Sequence, residues 1–199
     1  MKYPSIIQNL IECFKKLPGV GEKSAERMAL SVLEFDKETI DLFAKSLKES
    51  KTKIRRCEKC NNLSEDDKCE ICKDNGRNKE ILCVVEEPKF ENLFEKLNIF
   101  DGYYHVLDGL ISPIDGINPE DINISTLIDR VKKDKVKEII LALKPSVEGE
   151  TTSLYISKIL EGTGVKISKI AHGVPMGAEI DYVDSLTLEM ALENRRYMD

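Results

Sequence analysis

The sequence predicts a multi-element α/β chain: a helical head, a short cysteine-bearing loop, an α/β domain with a parallel sheet, and a short helical segment at the carboxyl end. Three observations predict it. Apolar residues recur at helical spacing before residue 50, four cysteines then come in two close pairs, and from residue 80 short apolar runs alternate with amphipathic stretches. The expected boundaries are 1–54 for the head, 55–79 for the loop, 80–175 for the α/β domain and 176–199 for the last segment.

In the head, SIIQNLIECFKK sets Ile6, Ile7, Leu10, Ile11 and Phe14 on one side of a helix, and SAERMALSVLEF does the same with Ala25, Met28, Ala29, Val32 and Leu33. LPGVG joins them as a tight hairpin. Asp36 offers a cap for a third helix carrying Ile40, Phe43, Ala44 and Leu47, which runs into the basic stretch KESKTKIRR, so a compact helical head is expected. The hairpin glycines, Gly19 and Gly21, let backbone N–H groups approach a ligand closely. A helix starting near Glu22 aims its free N–H groups and positive dipole end at the same spot. Lys23 and Arg27, four apart, share one face of that helix. Together these features fit phosphate; the plainer reading is a helical turn with two solvated cations.

Cys57-x-x-Cys60 is followed, after eight intervening residues, by Cys69-x-x-Cys72. Two such pairs supply a closed tetrahedral thiolate shell, the pattern of structural zinc; a catalytic zinc keeps one position open. The metal then holds a loop too small to have a core. Cys13 and Cys83 lie in apolar stretches and read as buried thiols of a reducing compartment.

In the α/β domain ILCVVEE, YYHVLDG, EIILALK and VKISKIA read as strands, with FENLFEKLN, STLIDRVKKD and TTSLYISKILEG as the helices between them. Near-continuous apolar strands fit a sheet covered on both faces. The loop DGLISPIDGINPED is too long for a plain connector and reads as functional. The first strand delivers Glu86 and Glu87 at its carboxyl end, where open parallel sheets put functional groups, and the third leads to Glu148 and Glu150. Glu148 and Glu150 are either helix-start residues favoured by the dipole or an acidic patch for a protein partner. His105 and His172 read as structural, and the charge run VKKDKVKE at 131–138 as a solvated helix end.

The formal net charge is −6, yet residues 1–79 hold 17 Lys and Arg against 14 Asp and Glu, a balance of +3, whereas 80–199 hold 13 against 22, a balance of −9. The front is therefore the expected side for a polyanion. No run approaches the ~18 apolar residues of a membrane span, and the opening MKYPSIIQNLIECFKK lacks a signal-peptide core, so a cytoplasmic protein is expected.

The string LPGVGEKSAERMA resembles the helix-hairpin-helix element of non-specific DNA-binding proteins, and the segment from 80 on resembles a Toprim domain. Toprim enzymes hold magnesium with a glutamate after the first strand and a later D-P-D-x-E-G-E; here that segment reads Lys144-Pro145-Ser146-Val147-Glu148-Gly149-Glu150, with neither aspartate. A metal-dependent nuclease or topoisomerase-like enzyme using Glu86, Glu87, Glu148 and Glu150 is the alternative that this change disfavours. Taken in order with VVEEP, YHVLDGLISPIDGINPEDI and AHGVPMGAEIDYVDSLTLEMAL, these segments resemble the RecR family of bacterial recombination mediators. The resemblance implies a non-enzymatic DNA-repair protein that forms a ring-like homo-oligomer and works with RecO and RecF to help RecA load onto gapped DNA. It implies sequence-independent DNA contact at Gly19, Gly21, Lys23 and Arg27, Zn2+ at the four cysteines, and partner contact around Glu86, Glu148 and Glu150.

Overall fold

The computed structural model describes residues 3–171 and 173–195, and it divides into two units, 1–54 and 55–199. His172 lies outside the described residues.

The first unit holds α1 (Ser5–Lys15), α2 (Glu22–Val32) and α3 (Lys37–Lys53). Helices α1 and α2 pack around buried Ile11, Ala25 and Ala29, with Ile7, Leu10, Phe14 and Val20 against them. Ala25 and Ala29 stand four apart on one face, and their small side chains let the two helices approach closely. This contact is narrower than the periodicity predicts. Ile6 and Leu33 are 77% and 61% exposed, and Met28 is also exposed. Cys13 is exposed as well, so the expected buried thiol is corrected: an apolar neighbourhood in sequence does not place a residue on the one face of α1 that α2 covers. Asp36 caps α3 as expected, accepting from the Thr39 N–H at 2.7 Å. No residue of α3 is buried, so the third helix adds nothing to the core of the head, and Phe43 and Leu47 remain exposed.

In the second unit a two-stranded ribbon, β1 (Arg55–Arg56) against β2 (Leu63–Ser64), and a one-turn helix α4 (Glu70–Lys73) frame the cysteines. The main sheet follows: β3 (Asn78–Val85), β4 (Gly102–Val106), β5 (Glu138–Ala142) and β6 (Lys166–Lys169), all parallel, in the order β4-β3-β5-β6. The connecting helices are α5 (Pro88–Leu97), α6 (Ser125–Asp134) and α7 (Val147–Ile159); α8 (Ser185–Glu193) comes last, N-capped by Asp184.

Strand alternation sorts the core into two layers. Leu82, Val84, Ile139 and Leu141 pack with Leu127, Val131, Ile156 and Leu160 of the α6–α7 side, while Cys83, Val85, Tyr104 and Val106 pack with Phe90 and Phe94 of α5. Burial on both faces, as the unbroken apolar strands predict, follows for β3, β4 and β5, whereas β6 at the edge of the sheet has no buried residue.

Strand β4 has only β3 as a neighbour, and its other side is occupied by side chains. Arg77 Nε donates to the Gly102 carbonyl at 2.8 Å, Arg130 donates to the Tyr104 carbonyl, and the amides of Asn61 and Asn123 both donate to the Val106 carbonyl at 3.1 Å. His105 is fully buried, its Nε2 2.8 Å from the Asn123 carbonyl and its Nδ1 without a partner; burial pushes its pKa down to about 4 and keeps the ring neutral. The structural reading of His105 holds, with one ring nitrogen unsatisfied. The long loop after β4 is anchored rather than free: Leu110, Ile111, Ile122 and Ile124 are buried, while the tip at 113–116 and the polar residues Asn118, Glu120 and Asp121 are exposed.

Candidate functional site

The hairpin is closed by a 3.2 Å bond from the Val20 N–H to the Leu17 carbonyl, with Gly19 at φ +77°, a conformation that favours glycine. Gly21 precedes α2 in extended geometry, and no side chain caps that helix start. The first bond of α2 runs from the Ala25 N–H to the Gly21 carbonyl at 2.9 Å, which leaves the preceding N–H groups aimed outward. A Cβ at Gly19 or Gly21 would meet nothing within 4 Å, so the hairpin has open space in front of it. Lys23 and Arg27 are exposed, line one shallow depression with Glu26 and Glu34, and form no ion pair among the described residues. Glu22, in the first turn of α2, is bound to Lys15 at 2.7 Å, which offsets its charge at the hairpin.

The four cysteine sulfurs lie within 4.8 Å of one another, and Cys60 Sγ stands 3.5 Å from Cys69 Sγ. Zinc bound at about 2.3 Å by four thiolates in a tetrahedron sets sulfurs roughly 3.8 Å apart, so the cluster fits the ion. Local backbone makes this geometry. The Asn61 N–H bonds the Cys57 carbonyl at 2.9 Å with Asn61 at φ 63°, and the Cys69 N–H donates to Cys57 Sγ at 3.3 Å. The mutual contacts of the four thiols, that with Cys60 first, push the Cys57 pKa far down and push Cys60 and Cys72 up, so the cluster shares its protons among neighbouring sulfurs.

The loop is joined to the sheet through residues that sequence reasoning missed. The Val106 N–H donates to the Cys60 carbonyl at 2.8 Å, Arg56 Nη2 reaches both oxygens of Asp108 at 2.6 and 2.7 Å, and Lys59 pairs with Asp134 at 2.8 Å. Asn62 donates to Glu91, a carboxyl only 2% exposed whose pKa burial pushes up to about 8. The Asn61–Asn62 pair directly after the first cysteine pair was the available signal, since asparagine tolerates the left-handed turn found there.

At the carboxyl ends of the strands, Glu86 is partly buried and its pKa is raised by that burial. Glu148 sits in the first turn of α7, its pKa lowered by the Ser146 hydroxyl and then by its own backbone N–H. Both oxygens of Glu150 are held by Lys169 at 2.6 Å. Among the described residues the four cysteines form a group able to hold a metal, and these glutamates do not form a second one.

Gly149 has a steric task between them. A Cβ there would fall 1.9 Å from the Lys144 carbonyl oxygen, so α7 can press its first turn against the end of β5 only with glycine. Gly149→Ala is expected to destabilise the second unit by about 3 kcal/mol or more, through forced backbone movement, and denaturant unfolding measures it.

These features define a class: a zinc-bearing protein that joins a helix-hairpin-helix head to a Toprim sheet. Family models agree segment by segment, matching the RecR helix-hairpin-helix at 7–51, the RecR four-cysteine zinc finger domain at 54–74, the Toprim domain at 80–171 and the RecR C-terminal region at 173–196. The chain belongs to the RecR family. Its cofactor is structural zinc, and membership supports a role as a recombination mediator. No helix among the described residues is long and apolar enough to cross a membrane.

Proposed function

We propose that the protein is a non-catalytic, cytoplasmic mediator that binds DNA through backbone phosphates and acts with RecO and RecF family proteins to promote RecA loading on gapped DNA. The observation that carries this reading is the pair of exposed cations, Lys23 and Arg27, without an ion-pair partner among the described residues and beside the uncapped start of α2. Backbone contacts of this kind position a protein without reading sequence. Gly19 and Gly21 leave room for the phosphate.

One hairpin neutralises about 2–4 phosphates, which gives weak, salt-sensitive binding; several copies in a ring-like homo-oligomer raise it through effective concentration. In this scheme 1–54 holds DNA, the zinc loop at 55–79 is a scaffold, 80–175 presents Glu86, Glu148 and Glu150 to the partner, and 176–199 contributes to assembly. The enzyme reading is disfavoured by Lys169, which occupies Glu150, and by Lys144, an ammonium where Toprim enzymes place a metal-binding aspartate.

The test is a gel experiment with circular, linear and gapped DNA across a salt series, with and without magnesium or manganese. Retardation that fades with salt and leaves strands intact is expected; metal-dependent nicking would overturn the reading. Glu148→Lys with Glu150→Lys is expected to spare DNA retardation and to weaken capture of a RecO family protein about tenfold or more in a pull-down, by reversing the charge of the contact.

A further inference from the structure

The opposite end of the sheet carries a second charged surface. In a parallel sheet all strands start on one side, and here the starts of β3, β5 and β6 border an open cleft of about 900 Å3 together with the end of α6. Lys132, Lys135, Lys137 and Lys166 line it. Lys137 is matched by Glu80 at 2.6 Å, and Glu138 accepts from the Ser168 hydroxyl at 2.9 Å. Lys132, Lys135 and Lys166 are exposed and form no ion pair among the described residues.

A solvated helix end accounts for Lys132, because cations in a last turn complement the helix dipole. It accounts equally for Lys135, the carboxyl-terminal cap of α6, but not for Lys166. Lys135 lies beyond α6 at φ 55°, in the left-handed conformation usually given to glycine, and Lys166 comes from a separate strand. The result is a positive island on a half of the chain whose charge balance is −9.

We propose that this cleft is a second contact for the sugar-phosphate backbone of DNA, on the second unit and separate from the hairpin. The inference rests on the DNA-binding reading above. Helices that follow parallel strands end at this side of the sheet, so the cleft receives helix carboxyl ends, whose carbonyls oppose an anion, and the attraction rests on the lysine side chains alone. Spaced ammonium groups along an open trough, without converging amides, suit an extended polyanion better than a single phosphate.

The experiment compares the native protein with Lys132→Glu/Lys135→Glu/Lys166→Glu, with Lys23→Glu/Arg27→Glu, and with both sets combined, all as full chains of verified zinc content. Affinity for a fluorescent single-stranded oligonucleotide is measured against salt. Each phosphate contact contributes about 0.7 to the logarithmic salt slope on single strands, so the cleft variant is expected to lose roughly 2 from it and at least about tenfold in affinity at low salt. Lysine-to-arginine changes at the same three positions control for misfolding and are expected to keep the native slope. An unchanged slope in the cleft variant, with binding lost in the hairpin variant, overturns the cleft and leaves the function standing. No DNA binding by the native protein overturns both.

Discussion

Lys23→Glu with Arg27→Glu is expected to lower DNA affinity by about a hundredfold or more at low salt and to leave folding and zinc content unchanged. The size follows from reversal rather than removal: two attractive phosphate contacts become two repulsions in front of the same uncapped helix start. Folding is spared because both side chains are exposed and form no ion pair among the described residues, and because the core of α1 and α2 rests on Ile11, Ala25 and Ala29. The Arg27 carbonyl keeps its 2.9 Å bond from the Ser31 hydroxyl, since that contact is backbone on the Arg27 side. Equal binding by native and variant protein in an anisotropy titration would remove the hairpin from the interface.

Cys69→Ser is expected to abolish zinc retention and to lower the melting temperature by roughly 10 °C or more. Structural zinc supplies on the order of 10 kcal/mol to small zinc modules, and at this chain length ~1 kcal/mol corresponds to about 2–4 °C. The loop cannot loosen alone. Cys60, Asn61, Asn62, Arg56 and Lys59 all bond to the α/β part of the same unit, so loss of the metal frees partners of Val106, Asp108, Glu91 and Asp134 at once. Metal analysis alongside thermal unfolding checks it, and a variant that keeps one zinc per chain and its melting point would show that Cys69 is not a ligand.

What could be read from the sequence was whatever repeats with a short period or fixed spacing. The helices around LPGVG, the cysteine quartet and the four strands of the main sheet declare themselves because their patterns are local, although β6 at the edge buries no residue. Helix α3 shows the limit: its apolar positions have the right spacing, yet periodicity cannot say whether a covering surface exists, and among the described residues none buries it. Cys13 failed for the same reason. The ion-pair joint between loop and sheet was out of reach because Arg56 and Asp108 stand 52 residues apart. Gly149 offered a signal that went unused. A glycine in the first turn of a helix sits against propensity and points to a close backbone neighbour, here Lys144.

The side chains along β4 have a consequence for how this protein can meet others. A lone outer strand normally offers a row of unused carbonyls onto which a foreign strand can zip, the route taken by peptide capture and by runaway aggregation. On β4 the carbonyls of Gly102, Tyr104 and Val106 are already spoken for by Arg77, Arg130, Asn61 and Asn123. That margin is closed to strand addition, so a foreign strand could extend this sheet only at β6, its other outer strand.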